Sequence, residues 1–211
     1  MMSLFAWVSQ VLYTVCFLPQ IVTNFRAKSG RGMSEYLLLG YLNLLAVTLF
    51  YVFLLELPLA YKIFVPLQLT AVLLLIAQRL WYDGPRLAKN LGIMYLVNIA
   101  LLVGCIPYAL ENPSLVGNMG GWGNVLFGVL SQSPQAFKVW RERSVMGFDK
   151  RFVYMLLAGS LCEFTGAFLC NLPLQTKLTS LRGITFACVF LFQFKLYASA
   201  RVTSKAHAPS Y

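Results

Sequence analysis

Charged residues are scarce in this 211-residue sequence, where they make up 11% of the chain and include only seven acidic residues and one histidine. A soluble domain carries about a quarter charged residues, so the composition indicates a membrane protein. The one histidine, His207, lies in a polar C-terminal tail that we interpret as disordered. We therefore expect no histidine-based catalysis, no metal site, no cofactor and no enzyme activity.

Cysteine is also uncommon, with five residues in the chain. This number is odd, and no CxxC pair occurs. We interpret the cysteines as small apolar packing residues rather than as disulfide partners. They all lie in or at the edge of apolar segments: Cys16, Cys105, Cys162, Cys170 and Cys188.

The sequence also has no site for N-glycosylation, since Asn112 is followed by a proline. Lysosomal membrane proteins usually carry glycans. We therefore favour a plasma membrane or a bacterial inner membrane over a lysosomal one.

Long charge-free runs are present instead, over 36–55, 90–110 and 112–137. Each run approaches or exceeds the roughly 20 residues that a helix needs to cross a bilayer. The runs do not alternate as strands of a membrane barrel do, so we predict an all-α membrane protein. Seven spans are predicted, at about 3–25, 33–55, 58–80, 88–110, 117–140, 148–170 and 178–199.

The net charge of +10 is distributed unevenly over the predicted loops. Of the 17 Lys and Arg residues, all but three fall on one side of the membrane, and the exceptions are Lys62, Lys177 and Arg182. Basic loops stay in the cytosol, which predicts an N-terminus outside or in the lumen and a cytosolic C-terminus. The charge is thus a signal of topology, and the expected partner is the lipid bilayer and not nucleic acid.

The chain repeats itself at an offset of 115 residues, at which Trp122 aligns with Trp7. The same offset aligns two Pro-Gln pairs, Pro19-Gln20 and Pro134-Gln135, and continues without a gap to Tyr82 and Tyr197. An internal repeat sets the architecture of a chain. We predict two parallel three-helix repeats joined by one linker helix (3+1+3), a transporter plan in which the substrate path lies between the repeats. The predicted divisions are 1–86, 87–114, 115–199 and a cytosolic tail, 200–211.

Two Pro-Gln pairs, each followed by a basic residue and by Ser-x-x-Gly (29–32 and 144–147), resemble the PQ-loop family of membrane transporters. The third helices end in AQRLWY and LFQFKLY, which is similar to the cystinosin-like branch, and the family is related to the SWEET sugar transporters. The resemblance implies transport of a small solute, an amino acid first and a sugar second. It also implies that the two prolines are hinges.

The matched motif residues have two physical interpretations each. Pro19 and Pro134 remove a helical hydrogen bond and kink their helices, which creates hinges or merely shapes static helices. Gln20 and Gln135 bridge the two repeats when the path closes, or they cap their helices and bind water.

Amides inside a membrane span are costly unless they face the protein interior. Such amides line a substrate path or join helices to each other. We name five candidates for substrate binding: Asn43, Gln68, Asn124, Gln132 and Gln193. Asn98 lies on the linker helix, and we interpret it as structural.

Glu163 is an acid inside the sixth predicted span. An isolated carboxylate there is costly as an anion and is expected to bind a proton, which makes Glu163 our candidate for proton coupling. Alternatively, it reaches the outer interface or pairs with Arg182 or Lys177. Cystinosin-like carriers hold an aspartate near the position of Leu156, so this chain departs from that branch, and facilitated diffusion remains an alternative.

The sequence therefore predicts a transporter that works by alternating access, as a uniporter or coupled to protons. The alternative is a non-transporting membrane receptor or assembly factor with the same fold. The oligomeric state stays open, because seven helices in two triplets could form a complete path in a monomer.

Overall fold

A computed structural model describes the backbone of residues 2–83 and 85–205, and the side chains of residues 4–83 and 92–197. These residues form nine helical segments. They are α1 (Met2–Val15), α2 (Phe17–Ala27), α3 (Glu35–Leu54), α4 (Leu59–Tyr82), α5 (Pro85–Gly104), α6 (Ile106–Glu111), α7 (Pro113–Glu142), α8 (Lys150–Leu169) and α9 (Leu174–Lys205). The pairs α1–α2 and α5–α6 each form one interrupted span, so the predicted seven-helix, 3+1+3 arrangement is confirmed.

Five spans are long and apolar enough to cross a membrane: Leu4–Ala27, Glu35–Leu54, Leu59–Tyr82, Gly92–Glu111 and Lys150–Leu169. Helices α7 and α9 are longer but carry more glycine, polar or basic residues. Large apolar side chains cover the outside of the bundle, such as Leu96, Leu126 and Phe192. A surface of this kind needs lipid around it, so the chain is a multi-pass membrane protein.

The last helix extends further than the sequence predicts. Helix α9 runs to Lys205, so the first part of the predicted tail, 200–211, is helical. His207 lies outside the described residues.

The two halves also share the backbone conformation at the ends of their helices. Lys28 and Arg143, which are 115 positions apart, both end their helices in the left-handed conformation, at φ of 48° and 47°. Glu56 and Asn171 form a second matched pair, at 50° and 48°. Such values are uncommon for residues with a Cβ atom, and their recurrence at equivalent turns shows that the two halves have the same local fold.

The two halves pack crosswise. Helix α1 of the first half packs on α8 of the second, and α3 of the first packs on α7 of the second. The linker segments α5 and α6 contact α3, α4 and α7 at the side of the bundle. This arrangement leaves a space along the middle that all six helical spans of the two halves enclose and the linker does not reach.

The two prolines have different local effects. The first span is interrupted at Cys16, three residues before Pro19, where α1 ends and α2 begins. Pro134 lies inside α7, which continues as one helix on both sides of it. Each proline leaves one carbonyl of the preceding turn without its helical partner, so both positions are weak points of their spans. We call the end of the bundle beyond these prolines the motif end, and the opposite end the far end.

The halves also differ at the motif end. In the first half, Arg79 of α4 is buried and makes ion pairs with Glu35 at 2.9 Å and with Asp83 at 2.7 Å. In the second half, Phe194 occupies the position equivalent to Arg79, and its ring stacks on Phe148 at 5.7 Å. An ionic cluster in one half thus corresponds to an aromatic cluster in the other.

Candidate functional site

A central cavity lies between the two halves. The space open to the centres of water molecules is about 80 Å³. Its polar lining comes from both repeats: Gln10, Tyr13, Thr48 and Gln68 from the first, and Asn124, Gln132, Glu163 and Arg182 from the second. A polar space between parallel repeats is where a transporter of this architecture holds its substrate.

Glu163 is buried in this cavity and is held by neutral donors of the first half. Its Oε1 accepts hydrogen bonds from Gln10 at 3.4 Å and from the Tyr61 hydroxyl at 3.2 Å. Its Oε2 accepts one from the Tyr13 hydroxyl at 2.9 Å, and that hydroxyl also lies 3.0 Å from Ser160. The carboxylate therefore connects α8 to α1 and α4. No ion-pair partner lies within 4.0 Å among the side chains that the structure describes.

The second charge of the cavity is the guanidinium of Arg182, on α9. Its Nη1 donates a hydrogen bond of 2.8 Å to the backbone carbonyl of Asn124. The guanidinium lies against α7 at Gly128, where a Cβ atom would collide with it. The lack of a side chain at Gly128 therefore makes room for the charge. In the first half, Tyr13 stands at the position equivalent to Gly128 and Leu67 at the position equivalent to Arg182.

Several polar atoms of the cavity wall have no hydrogen-bond partner among the described groups. They include Oδ1 of Asn124, Oε1 of Gln132 and Nε of Arg182. The amide nitrogens of the same two side chains are used, by Thr48 at 2.7 Å and by Tyr41 at 3.3 Å. Buried polar atoms are normally paired, so these three atoms are exceptions within the described part of the wall.

Aromatic rings close the cavity toward the motif end. Phe17 packs edge-on against Tyr41, and both contact Phe152, with ring centroids 5.7 to 6.5 Å apart. Phe17 and Phe152 are buried, and Phe17 and Tyr41 form part of the cavity wall. A layer of this kind blocks passage of a polar solute.

The glutamines of the two motifs close the motif end below the aromatic layer. Gln20 donates to the carbonyl of Gly147 at 2.9 Å and accepts from the N–H of Asp149 at 2.9 Å. Gln135 donates to the carbonyl of Gly32 at 3.3 Å and accepts from the N–H of Ser34 at 2.7 Å. Each glutamine thus binds the loop of the other half at two points. We call these four hydrogen bonds the crossed clasp.

The two loops meet at glycines. A Cβ atom on Gly32 would collide with the backbone of Gly147, and one on Gly147 would lie 2.9 Å from the Cα of Gly32. Gly147 also has a φ of +77°, in the region that favours glycine. Ser34 and Asp149, which the glutamines bind, are the N-caps of α3 and α8, so the clasp is fixed to the starts of these helices.

A second pair of matched glutamines acts within each half. Gln78 of α4 donates to the carbonyl of Ile21 at 3.1 Å, and Gln193 of α9 donates to the carbonyl of Ala136 at 2.8 Å. Both carbonyls lie two residues after a motif proline. Each bond joins the third helix of a half to the first helix beyond its proline, so these parts of a half are positioned to move together.

A hydrogen bond also joins the halves toward the far end. The Tyr51 hydroxyl of α3 and the Thr176 hydroxyl of α9 lie 2.9 Å apart and join the two halves. Beside them lies a second opening, lined by Pro58, Glu163 and Cys170 among others, with about 280 Å³ of space for water centres. Glu163 therefore lines both the central cavity and the opening at the far end.

The structure brings together three of the five predicted substrate-binding amides. Gln68, Asn124 and Gln132 line the cavity, and Gln68 donates to Gln10 at 2.9 Å. Asn43 does not line it. Tyr41, Leu44 and Leu45 face the cavity, and Asn43 is rotated away from them by the helical period and donates to the carbonyl of Leu39 in its own helix.

Gln193 also lies outside the cavity wall, because its amide is used by Ala136. Asn98 of the linker donates to the carbonyl of Met94 in its own helix, as a structural residue does.

Sequence reasoning missed Gln10, Tyr13 and Tyr61 as partners of Glu163, and it treated Arg182 as a loop charge. A signal for Arg182 was present, since the residue falls within the predicted seventh span, 178–199, and not in the preceding loop. A signal for the tyrosines was absent, because tyrosine is common in membrane helices for other reasons.

Two segments of the chain, residues 1–61 and 116–176, match the family model for the PQ loop repeat. Together they cover more than half of the chain, and each contains one Pro-Gln pair with the loop that the other half's glutamine binds. No curated protein matches the sequence closely enough to be counted as a relative.

Proposed function

Because the chain belongs to the PQ-loop repeat family of membrane proteins, whose members are often solute transporters, we propose that it carries a small polar solute across a membrane by alternating access. The observation that carries this proposal is a polar cavity between the repeats that is closed at one end by the crossed clasp. The charge distribution over the loops supports a cytosolic motif end.

The closing motion follows from the bonds around the prolines. Beyond Pro19 and Pro134, each first helix is tied to its own third helix by Gln78 or Gln193. The crossed clasp joins the halves to each other at the same level. Breaking the clasp lets these parts swing outward at the prolines, which opens the motif end. At the same time the far-end opening closes, and the bond between Tyr51 and Thr176 holds the halves together there. The prolines are thus hinges and the glutamines are gates.

Glu163 is the candidate site of proton coupling, because it is the one carboxylate in the described wall of the cavity and also faces the far-end opening. A proton on this group would neutralise the charge that Gln10, Tyr13 and Tyr61 now share. Uniport and proton-coupled transport both use the same cavity, and they differ in whether this proton moves with the solute.

Counterflow of radiolabelled amino acids and sugars into proteoliposomes, with and without an inward proton gradient, tests the proposal. We expect saturable uptake of one solute class by the wild-type protein. Stimulation by the gradient that disappears in Glu163→Gln assigns the proton to this residue, and stimulation that survives leaves Glu163 with a structural role. An exposed acid, Glu111→Gln, serves as the matched control. Absence of any uptake by folded protein would favour a receptor or assembly factor.

A further inference from the structure

A wide cleft opens at the surface of the motif end, outside the central cavity. It has about 690 Å³ of space for water centres. One wall is the first turn of α3 with Arg79 of α4, from the first half, and the other is the end of α7 from Pro134 to Glu142, from the second half. We call this space the seam cleft. Because its walls belong to different halves, it has this shape only while the motif end is closed.

We propose that the seam cleft binds the headgroup of an anionic phospholipid, with the lipid phosphate at Lys138 and Arg141, and that this lipid holds the motif end closed. A molecule that contacts both walls binds the closed arrangement better than the open one, so it shifts the population toward the closed arrangement. This site goes beyond the proposed transport function, and its binding does not depend on that function.

The charges of the first-half wall are already compensated, whereas Lys138 of the second-half wall retains free donors. Arg79 forms ion pairs with Glu35 and with Asp83. Lys138 donates to the backbone carbonyl of Arg31, and no partner is described for the two other N–H groups of its ammonium. The positive charge that an outside anion can meet is therefore on α7.

Arg141 adds a second cation on the same face of α7, three residues after Lys138. It is exposed and makes no ion pair within 4.0 Å with any side chain that the structure describes. Glu142 is the one acid in the described part of this wall. Two cations and one acid leave the wall positive, and the planar fork of an arginine suits two oxygens of a phosphate.

Apolar surface leads from the seam cleft along the outside of α7. Phe137 lines the cleft and is 65% exposed. Leu130, Leu126 and Met119 continue the same helical stripe toward the far end, and each is more than half exposed. A headgroup in the cleft would thus have its acyl chains along an apolar stripe, which a free phosphate ion cannot use.

The seam cleft also lies at the level expected for headgroups. It is beyond Pro134, among the basic loops of the motif end, and the exposed ring of Tyr36 stands at its edge. Aromatic rings of this kind are enriched at the interface between membrane and water. The cytosolic leaflet carries anionic lipids, and basic pockets between membrane helices on that side bind their headgroups.

The repeat shows that these cations are specific to the second half. Thr23 stands at the position equivalent to Lys138, and its hydroxyl donates to Asp149 at 2.8 Å. Arg26 stands at the position equivalent to Arg141 and does not line the seam cleft. Arg26 is exposed like Arg141, so it is a matched control for the charge alone.

The test is native mass spectrometry of the purified full-length protein in a non-ionic detergent. The probes are phosphatidylglycerol, which is anionic, and phosphatidylcholine, whose headgroup is neutral overall. We expect the first phosphatidylglycerol to bind at least about fivefold more tightly, the factor that one Lys or Arg contributes at an anionic lipid surface. Equal binding of the two lipids would overturn the proposal, and this comparison uses the wild-type protein.

Inorganic phosphate is the third probe, because it offers the same oxygens without acyl chains. We expect it to leave the bound phosphatidylglycerol in place at an equal concentration. Displacement of the lipid would identify a site for a free anion and overturn the assignment of a phospholipid.

Variants assign the lipid to the seam cleft. Arg141→Gln should weaken binding of phosphatidylglycerol about fivefold, and Arg26→Gln should leave it unchanged. Glu142→Gln should strengthen binding, an increase that a misfolded variant cannot imitate. Equal losses in Arg141→Gln and Arg26→Gln would mean that the general positive charge of the motif end holds the lipid, which would overturn the cleft as the site.

The effect on closure has its own measurement, in nanodiscs of phosphatidylcholine with and without phosphatidylglycerol. Met33→Cys, in a background without native cysteines, replaces a fully buried residue at the motif end. We expect phosphatidylglycerol to slow its reaction with a maleimide, and Arg141→Gln to remove the difference. Equal rates with both lipid compositions would overturn the effect on closure. None of these readouts involves a transported solute, so failure of the lipid site and failure of transport are distinguishable.

Discussion

The side-chain nitrogen of Gln20 lies 2.9 Å from the backbone carbonyl of Gly147, so a side chain of the first repeat holds the backbone of the second. Gln135 binds Gly32 in the same way. Because both partners are backbone groups, the clasp depends on how closely the loops approach and not on the side chains that they carry. We therefore expect the four hydrogen bonds of the clasp to form only when the motif end is closed.

The crossed clasp predicts the effect of Gln20→Met, which keeps the volume of the side chain and removes its polar atoms. The carbonyl of Gly147 and the N–H of Asp149 lose their partner and bind water instead, because Gly147 is exposed and Asp149 is partly exposed, so the loss is about 0.5–1.5 kcal/mol for each bond. We expect the motif end to open more often. A cysteine at Met33, a fully buried residue, would react with a maleimide at least about fivefold faster in a background without native cysteines.

Gln135→Met should have the same effect as Gln20→Met, because its two bonds are equivalent. Asn118→Met is the matched control, since this exposed amide binds only the carbonyl of Ser114 in its own helix. Equal labelling rates in the Gln20 variant and the control would contradict the role of the clasp.

Gly32→Ala should prevent the motif end from closing. The new Cβ atom would collide with the backbone of Gly147, and a backbone cannot rotate away as a side chain can. We expect uptake in proteoliposomes to fall at least tenfold, together with faster labelling of a cysteine at Met33. Gly92→Ala is the control, because its added Cβ meets no atom within 4 Å among the described residues outside its own stretch of helix. Normal uptake by Gly32→Ala would show that closure does not need this contact.

Gly128→Ala should displace the guanidinium of Arg182 from α7. The end of an arginine side chain is flexible and can move away from the new Cβ atom, so we expect the protein to fold. Saturable uptake of the transported solute in proteoliposomes should fall about tenfold. Gly123→Ala on the same helix is the control, because its Cβ would make an ordinary contact with Val47 at 3.5 Å. Uptake equal to that of the control would show that transport does not depend on the position of Arg182.

Arg79→Met should destabilise the first half. Arg79 and Asp83 are almost completely buried, with side chains 8% and 3% exposed, and the variant leaves Asp83 with the longer ion pair to the exposed Arg31, at 3.8 Å. Breaking a buried pair by removing one partner costs about 3–5 kcal/mol. Thermal unfolding in detergent should show a clear loss of stability relative to Arg141→Met, which removes an exposed charge. A loss equal to that of the control would mean that Arg31 is enough to compensate the charge of Asp83.

The repeat predicts much of the site as well as the fold. Matched positions at the same offset hold the two prolines, the two gate glutamines and the glutamines that tie the third helices. The cavity could be predicted only in part. Gln68, Asn124 and Gln132 line it as expected from amides in apolar spans, but Asn43 has the same chemistry and faces elsewhere. The rotation of a helix about its axis depends on packing against its neighbours, which a uniformly apolar helix does not encode in its pattern.

By itself, the sequence determined that the chain crosses a membrane, that it has two parallel halves, and which residues recur in both. These properties follow from local hydropathy and from identity at a fixed offset, which need no knowledge of contacts. Only the tertiary structure decided that each motif glutamine binds the opposite half and that Glu163 and Arg182 share one cavity without pairing. Such contacts join residues that lie far apart in the chain, and they arise from the crosswise packing of the halves. Hydrogen bonds are directional, so they form only where that packing brings donor and acceptor into line.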